Sequence, residues 1–188
     1  LVLVDEAHGC HFYFDKDGPK SAMECGADIA VTSVHKMGGS LTQSSLLVLK
    51  SENVDKADVV KSLQILTTTS PSNLLIASLD SARKNLATTG QVEITEAKKL
   101  AAYARHEINK IEGFKCHGLN HFRDNGSFNF DSTKLVIELD NIALSGIQLY
   151  NLLYDKYNIQ MELAETYVVL GLCTIGTKKI AISNLLRA

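Results

Sequence analysis

An α/β fold is what this sequence predicts: a mostly parallel sheet with helices, followed by a small α+β segment. Three observations carry that expectation. Short apolar runs rich in Val, Leu and Ile stand at residues 1–5, 27–33 and 45–50, separated by segments with helical or turn character. Longer stretches with apolar residues at helical spacing follow, over residues 54–66, 73–87 and 91–111. Past Gly113 the strands and helices shorten and alternate. The chain has 188 residues, 45% hydrophobic and 21% charged, enough to bury a core and unlike disordered, collagenous or coiled-coil chains.

Taken in order, residues 1–5 read as a buried strand that ends in an acidic turn. Residues 19–25 have helical spacing, and Gly26 is a natural C-terminal stop. Residues 27–33 form a second strand, Gly38-Gly39-Ser40 a loop, and residues 45–50 a third strand. This strand–helix–strand order with short loops argues for parallel pairing. A helix over 54–66 is broken by Thr67-Thr68-Thr69-Ser70-Pro71-Ser72. Ser72 or Asn73 then caps a second helix reaching about residue 87. Gly90 interrupts, and 91–111 form an amphipathic helix with Leu100, Ala104, Ile108 and Ile111 on one side. Beyond it, 118–127 reads as loop, with Asp124-Asn125-Gly126 a turn signal. Strands are expected at 135–139, 159–162 and 168–174, and helices at 145–157 and 178–186. The boundary between the two parts falls near residue 112.

Charge and cysteine usage exclude several functions. A net charge of −2 offers no basic surplus for nucleic acid and no polybasic segment for a membrane surface. No apolar run approaches the ~20 residues of a membrane span. Cys10, Cys25, Cys116 and Cys173 are scattered, with no C-x-x-C pair, and read as buried or idle thiols of a cytoplasmic protein. His8-Gly9-Cys10-His11 is the nearest thing to a metal cluster, but zinc spacing is absent and no metal is expected. His106 and His117 read as surface residues, and Glu162 and Glu165 as solvent-exposed. The chain opens on an apolar strand with no initiator Met and no signal-peptide pattern, which raises the expectation of a longer protein cut at this point.

Chemistry concentrates at the ends of the first two strands. Asp5-Glu6-Ala7-His8-Gly9 follows the first, and Ser33-Val34-His35-Lys36 the second. Ligands of open α/β sheets bind beyond the carboxyl ends of strands, so Asp5 and Lys36 can reach one crevice. A carboxylate and a lysine there suit pyridoxal 5′-phosphate (PLP): the lysine amine forms a Schiff base with its aldehyde, and an aspartate favours the protonated ring nitrogen. Ser33 and His35 are phosphate donors beside that lysine.

The segments VDEAHGCHFYF, SAMECGADIAVTSVHKMGGSLTQSSLLVL, TTTSPSNLLIASLDSAR and LAETYVVLGLCTIGTKK resemble, in this order, the bacterial ornithine/lysine/arginine decarboxylase family. Its members are PLP enzymes of the aspartate-aminotransferase fold (fold type I). The resemblance implies that Lys36 carries the cofactor as the Schiff-base lysine and that Asp5 pairs with the pyridinium nitrogen. It places Ala7 against a ring face and His8 near the phenolic oxygen, with a catalytic role, and gives Ser33 and His35 to the phosphate. Thr68 would reach the phosphate of a partner subunit, since sites of this family form at a dimer interface, in a homodimer or higher oligomer. The implied reaction removes the α-carboxylate of a basic amino acid to give a diamine or agmatine. The resemblance makes residues 1–112 the C-terminal half of the PLP-binding large domain and 113–188 a small α+β segment. The family's upstream half and C-terminal domain are then missing, and the piece is expected to be inactive alone.

Three rival readings stand beside this one. An aminotransferase shares the aspartate and lysine, but the DEAHG and S-x-H-K wording favours a decarboxylase. A non-catalytic, dimerising pseudo-enzyme fragment would expose unpaired strand edges and apolar surface that favour association. Asp5-Glu6-Ala7-His8 also spells a helicase acidic box, but no G-x-x-x-x-G-K-[ST] loop accompanies it.

Overall fold

The computed structural model describes residues 1–188, which form two compact units, Leu1–Val92 and Glu93–Ala188. In the first unit, β1 (Leu3–Asp5) pairs in parallel with β2 (Ile29–Ser33), and β2 pairs antiparallel with β3 (Ser45–Leu49), giving the order β1-β2-β3. Parallel pairing therefore holds for the first two strands and fails for the third. A parallel return needs a crossover of roughly a dozen residues or more. Between β2 and β3 lie only α1 (Val34–Met37) and a tight turn with positive φ at Gly39 and Gln43, so the chain doubles back.

Strand alternation gives this sheet one dry and one wet face. Ala30 and Thr32 of β2 are buried, Ala30 against Ala22, Met23 and Ala27. On the other face Leu3, Val31 and Leu47 are 65%, 43% and 38% exposed. The expectation of a buried first strand is corrected accordingly: Leu1 and Val2 are exposed as well. The dry side of β1 and β2 meets packed apolar side chains, so alternate residues of these two strands stay wet, whereas Ser45–Leu47 of β3 are exposed throughout.

The helix expected over residues 19–25 is a single turn. The Cys25 amide bonds to Ser21 O, after which the Ala27 amide reaches Ala22 O and the Gly26 amide reaches Met23 O. This pair of bonds is the Schellman closure, and it requires the left-handed φ of +88° that Gly26 supplies. Farther on, α2 (Lys56–Leu66) is capped by the Asp55 carboxylate accepting the Ala57 amide at 2.7 Å. Then α3 (Asn73–Thr88) starts after Ser72 and buries Ala82 and Leu86. Gly90 opens α4 (Gly90–Ile108) instead of interrupting a helix. The buried positions of α4, Ile94, Ala97, Ala101, Ala104 and Ile108, recur every three or four residues.

The second unit is an antiparallel sheet in the order β4-β5-β7-β6, built from β4 (Phe114–His117), β5 (Lys134–Leu139), β6 (Leu163–Ala164) and β7 (Val168–Leu172). Leu135, Ile137 and Leu139 alternate inward along β5 and share a core with Ala101, Ala104 and Ile108 of α4. Leu153 of α6 (Gly146–Tyr157) and Ile182 of α7 (Lys179–Arg187) join them. Ser145 starts α6 with a reciprocal cap: its hydroxyl accepts the Gln148 amide, and the Gln148 side chain accepts the Ser145 amide. Two sequence expectations move. The 118–127 stretch contains α5 (Leu119–Asp124), and the strand expected at 159–162 lies instead at Leu163–Ala164. No helix is long and apolar enough to cross a membrane.

Candidate cofactor site

The ladder between β1 and β2 continues past its last paired residues. The Glu6 amide donates to Val31 O at 2.8 Å and the Ser33 amide to Ala7 O at 3.2 Å. These two bonds hold the Asp5–Gly9 loop against the carboxyl end of β2. Asp5 sits at that end, solvent-exposed, and its Oδ1 accepts the Ala7 amide at 3.0 Å, so the loop turns around its own carboxylate. Such a bond orients the side chain and occupies only one of its oxygens.

Asp5, Ala7 and Ser33 line one open groove of about 400 Å³ on the wet face of the sheet, floored by Leu3, Ile29 and Val31. The structure thus brings three of the residues singled out from sequence into one place. Lys36, His35, His8 and Thr68 do not line this groove. Ser33 hands the chain directly to α1, where His35 is half-buried and Lys36 exposed. His35 Nδ1 lies 3.0 Å from Ser44 O. A carbonyl only accepts, so Nδ1 carries the proton and Nε2 is left for other partners. His8 is half-buried within the Asp5–Gly9 loop. Thr68 stands apart on the exposed bend after α2, where its hydroxyl oxygen accepts the Ser70 amide.

Glu6 escaped the sequence reading as a contributor to this site. It is buried, and its Oε1 accepts the Ala22 amide at 2.8 Å. Tyr13 faces it, and burial together with the Glu6 carboxylate pushes the phenol up to about 12. The signal for a buried Glu was present in its place beside Val4 in the strand alternation, but it was masked by the acidic pair Asp5-Glu6.

In the second unit, His117 is corrected from a surface residue to a largely buried one. Its Nε2 donates to Glu138 at 2.5 Å, and its ring stacks on His121 at 3.8 Å between centroids. Arg105 holds the same region by donating to the carbonyls of His117, Ser132 and Lys134.

Comparison with known proteins covers almost the whole chain. Residues 1–181 match the family model described as Orn/Lys/Arg decarboxylase, major domain. An arginine decarboxylase of Bacillus cereus is 44% identical over 187 residues, covering 100% of this chain and 41% of that protein. The chain spans 36–41% of the length of the four curated arginine decarboxylases it matches. Among solved structures, the constitutive lysine decarboxylase of E. coli superposes with a TM-score of 0.78 at 23% identity, over 98% of this chain and 32% of that one. A structure of SPT with its PLP internal aldimine gives 0.68 at 19% identity, over 100% of this chain and 46% of that one. At these identities the superpositions establish the fold, which is that of fold type I PLP enzymes.

Proposed function

Since the chain belongs to the Orn/Lys/Arg decarboxylase family, we propose that it is part of a PLP-dependent decarboxylase of basic amino acids, with arginine, lysine or ornithine as substrate class. The observation that carries this reading is the shared groove of Asp5, Ala7 and Ser33 at the carboxyl ends of two parallel strands, with Lys36 three residues past Ser33. The donor set fits PLP: a carboxylate with one oxygen turned to its own loop, a hydroxyl, an imidazole with Nε2 uncommitted by its Ser44 bond, and an exposed amine. When bound, PLP acts as an electron sink for the bond to the departing carboxylate.

In this reading Lys36 supplies the amine that holds the cofactor. The Asp5 carboxylate keeps a proton on the ring nitrogen by pairing with it. Ala7 presents a small apolar surface to a ring face, and His8 holds a proton near the phenolic oxygen. The Ser33 hydroxyl and the His35 ring bind phosphate. Thr68, whose oxygen is already an acceptor for the Ser70 amide, keeps its O–H to donate to the phosphate of a partner subunit in a homodimer or higher oligomer. Residues 1–112 then form the C-terminal half of the cofactor domain and 113–188 the small segment that follows.

A second reading, a non-catalytic dimerising piece, is favoured by one observation, the exposure of Leu3, Val31 and Leu47 on a single sheet face. Titration of the chain with PLP, followed by visible absorbance, separates the two. Saturable absorbance that Lys36→Ala abolishes supports the decarboxylase reading. Absence of any PLP-dependent absorbance, with a dimer in sedimentation, supports the other.

A further inference from the structure

We propose that Glu6 is a positioning residue for the cofactor site: buried beneath the Asp5–Gly9 loop, it pins that loop to the turn at Ala22 and so fixes the aim of the Asp5 carboxylate. The inference rests on the PLP reading for its consequence, but its geometry belongs to the chain alone. Four observations converge on it. Glu6 is only 9% exposed, although burying a carboxylate is costly unless it is well bonded. Its Oε1 accepts the Ala22 amide at 2.8 Å, a charge-assisted bond joining two segments sixteen residues apart. Its Oε2 and the Tyr13 hydroxyl are both buried without a hydrogen bond of ordinary geometry, and the Glu6 carboxylate is near enough to help raise the Tyr13 phenol. Finally, the loop is shaped around this side chain. A Cβ at residue 9 would lie 2.2 Å from Glu6 Cγ, and the Gly9 amide bonds back to Glu6 O at 2.8 Å.

The consequence passes through Ala7. The Asp5 side chain is oriented by the Ala7 amide at 3.0 Å, and the plane of that peptide is set by a loop held on one side by β2 and on the other by Glu6. Removing the Glu6 carboxylate frees one side of the loop. Asp5 stays in place as a residue but loses its fixed direction, and the pairing it offers to a ring nitrogen weakens.

The test compares Glu6→Ala, Glu6→Gln, Asp5→Ala and the double variant Glu6→Ala/Asp5→Ala, with PLP as the probe. Two readouts are taken: the pH midpoint of the visible lysine-adduct absorbance, and hydrogen exchange of the Ala7 amide without PLP. A protonated ring nitrogen lowers the adduct's midpoint by charge repulsion, so losing the Asp5 pairing raises it. Glu6→Ala is expected to raise the midpoint as Asp5→Ala does and to weaken PLP binding about tenfold, the loss of one good hydrogen bond. The double variant adds no further shift. Glu6→Gln, which keeps a carbonyl for the Ala22 amide, restores most of the wild-type midpoint. A wild-type midpoint in Glu6→Ala, or fully additive shifts in the double variant, overturns the proposal. Should Glu6→Ala fail to fold, the milder Glu6→Asp, whose carboxylate is one methylene too short for the Ala22 amide, is read instead: a rise in midpoint supports the proposal, and no change overturns it. If the wild-type chain forms no adduct, the PLP reading itself falls. Glu6 is then judged on Ala7 exchange alone, where acceleration in Glu6→Ala but not in Glu6→Gln sustains its positioning role and unchanged exchange refutes it.

Discussion

The Ser33 amide donates to the Ala7 carbonyl at 3.2 Å, so the main chain of one candidate site residue holds the main chain of another. The Ser33 side chain is spare from this bond and lines the groove. Main-chain and side-chain roles can therefore be separated. Ser33→Ala keeps the amide and is expected to leave the melting temperature unchanged while weakening PLP binding roughly tenfold, the loss of one hydrogen bond to a charged group. Ser33→Pro removes the amide and is expected to destabilise the chain by about 1–3 kcal/mol. Calorimetry on the two variants, with and without PLP, checks both halves.

Acid stability centres on Asp28. Its carboxylate accepts the Ser51 hydroxyl, the Val2 amide at 2.7 Å and the Asn53 side chain at 3.1 Å, tying the first residues to the end of β3. These bonds, Ser51 first and then Val2 and Asn53, hold the carboxyl down to about 2. A carboxyl depressed in the folded state contributes stability above its ordinary pKa near 4 and loses it as pH falls toward 2. Denaturant melts between pH 5 and 2 are expected to show declining stability, and Asp28→Asn to flatten that decline.

The second unit hangs on Arg105. Its guanidinium donates to His117 O at 2.8 Å, Ser132 O at 3.1 Å and Lys134 O at 2.8 Å, and lies 5.7 Å from the centre of the Phe130 ring. Three strand and loop carbonyls thus share one cation. Arg105→Ala is expected to cost about 2–4 kcal/mol, since bonds to a charged group run to about 1.5–3 kcal/mol each and are not additive. Arg105→Lys recovers only part, because an ammonium cannot reproduce the planar fork. Urea melts of both variants measure the difference.

Thiol reactivity follows burial. Cys116 and Cys173 are pushed up to about 11 by desolvation, against the opposing pull of Arg105, and both side chains are closed off in the core of the second unit. Cys25 is exposed on the turn that ends at Gly26. Alkylation at pH 8 followed by mass spectrometry is expected to add one group rapidly, at Cys25, with Cys116 and Cys173 modified only after denaturation.

Much of the site's layout was legible because it depends on short-range order. Asp5, Ala7 and Ser33 come together through strands only three and five residues long, and apolar runs mark such strands plainly. What the sequence hid depends on partners elsewhere in the chain. Phe114–His117 has little strand character of its own and becomes β4 only because β5 pairs with it. The direction of β3 is decided by how little chain separates it from β2, which local propensity does not encode. His117 looked solitary until Glu138, twenty-one residues away, was brought beside it by cross-strand geometry. Glu6 reads as half of an acidic pair, yet alternation sends it inward and Asp5 outward.

Locating the PLP-bearing lysine tests the central claim most directly. The chain is mixed with PLP, reduced with borohydride, digested, and its modified peptides are mapped by mass spectrometry. The account predicts one dominant pyridoxyl-lysine, at Lys36, that disappears in Lys36→Ala and diminishes in Asp5→Ala. Label spread over exposed lysines such as Lys20 and Lys50, with Lys36 no more modified than they are, would contradict it.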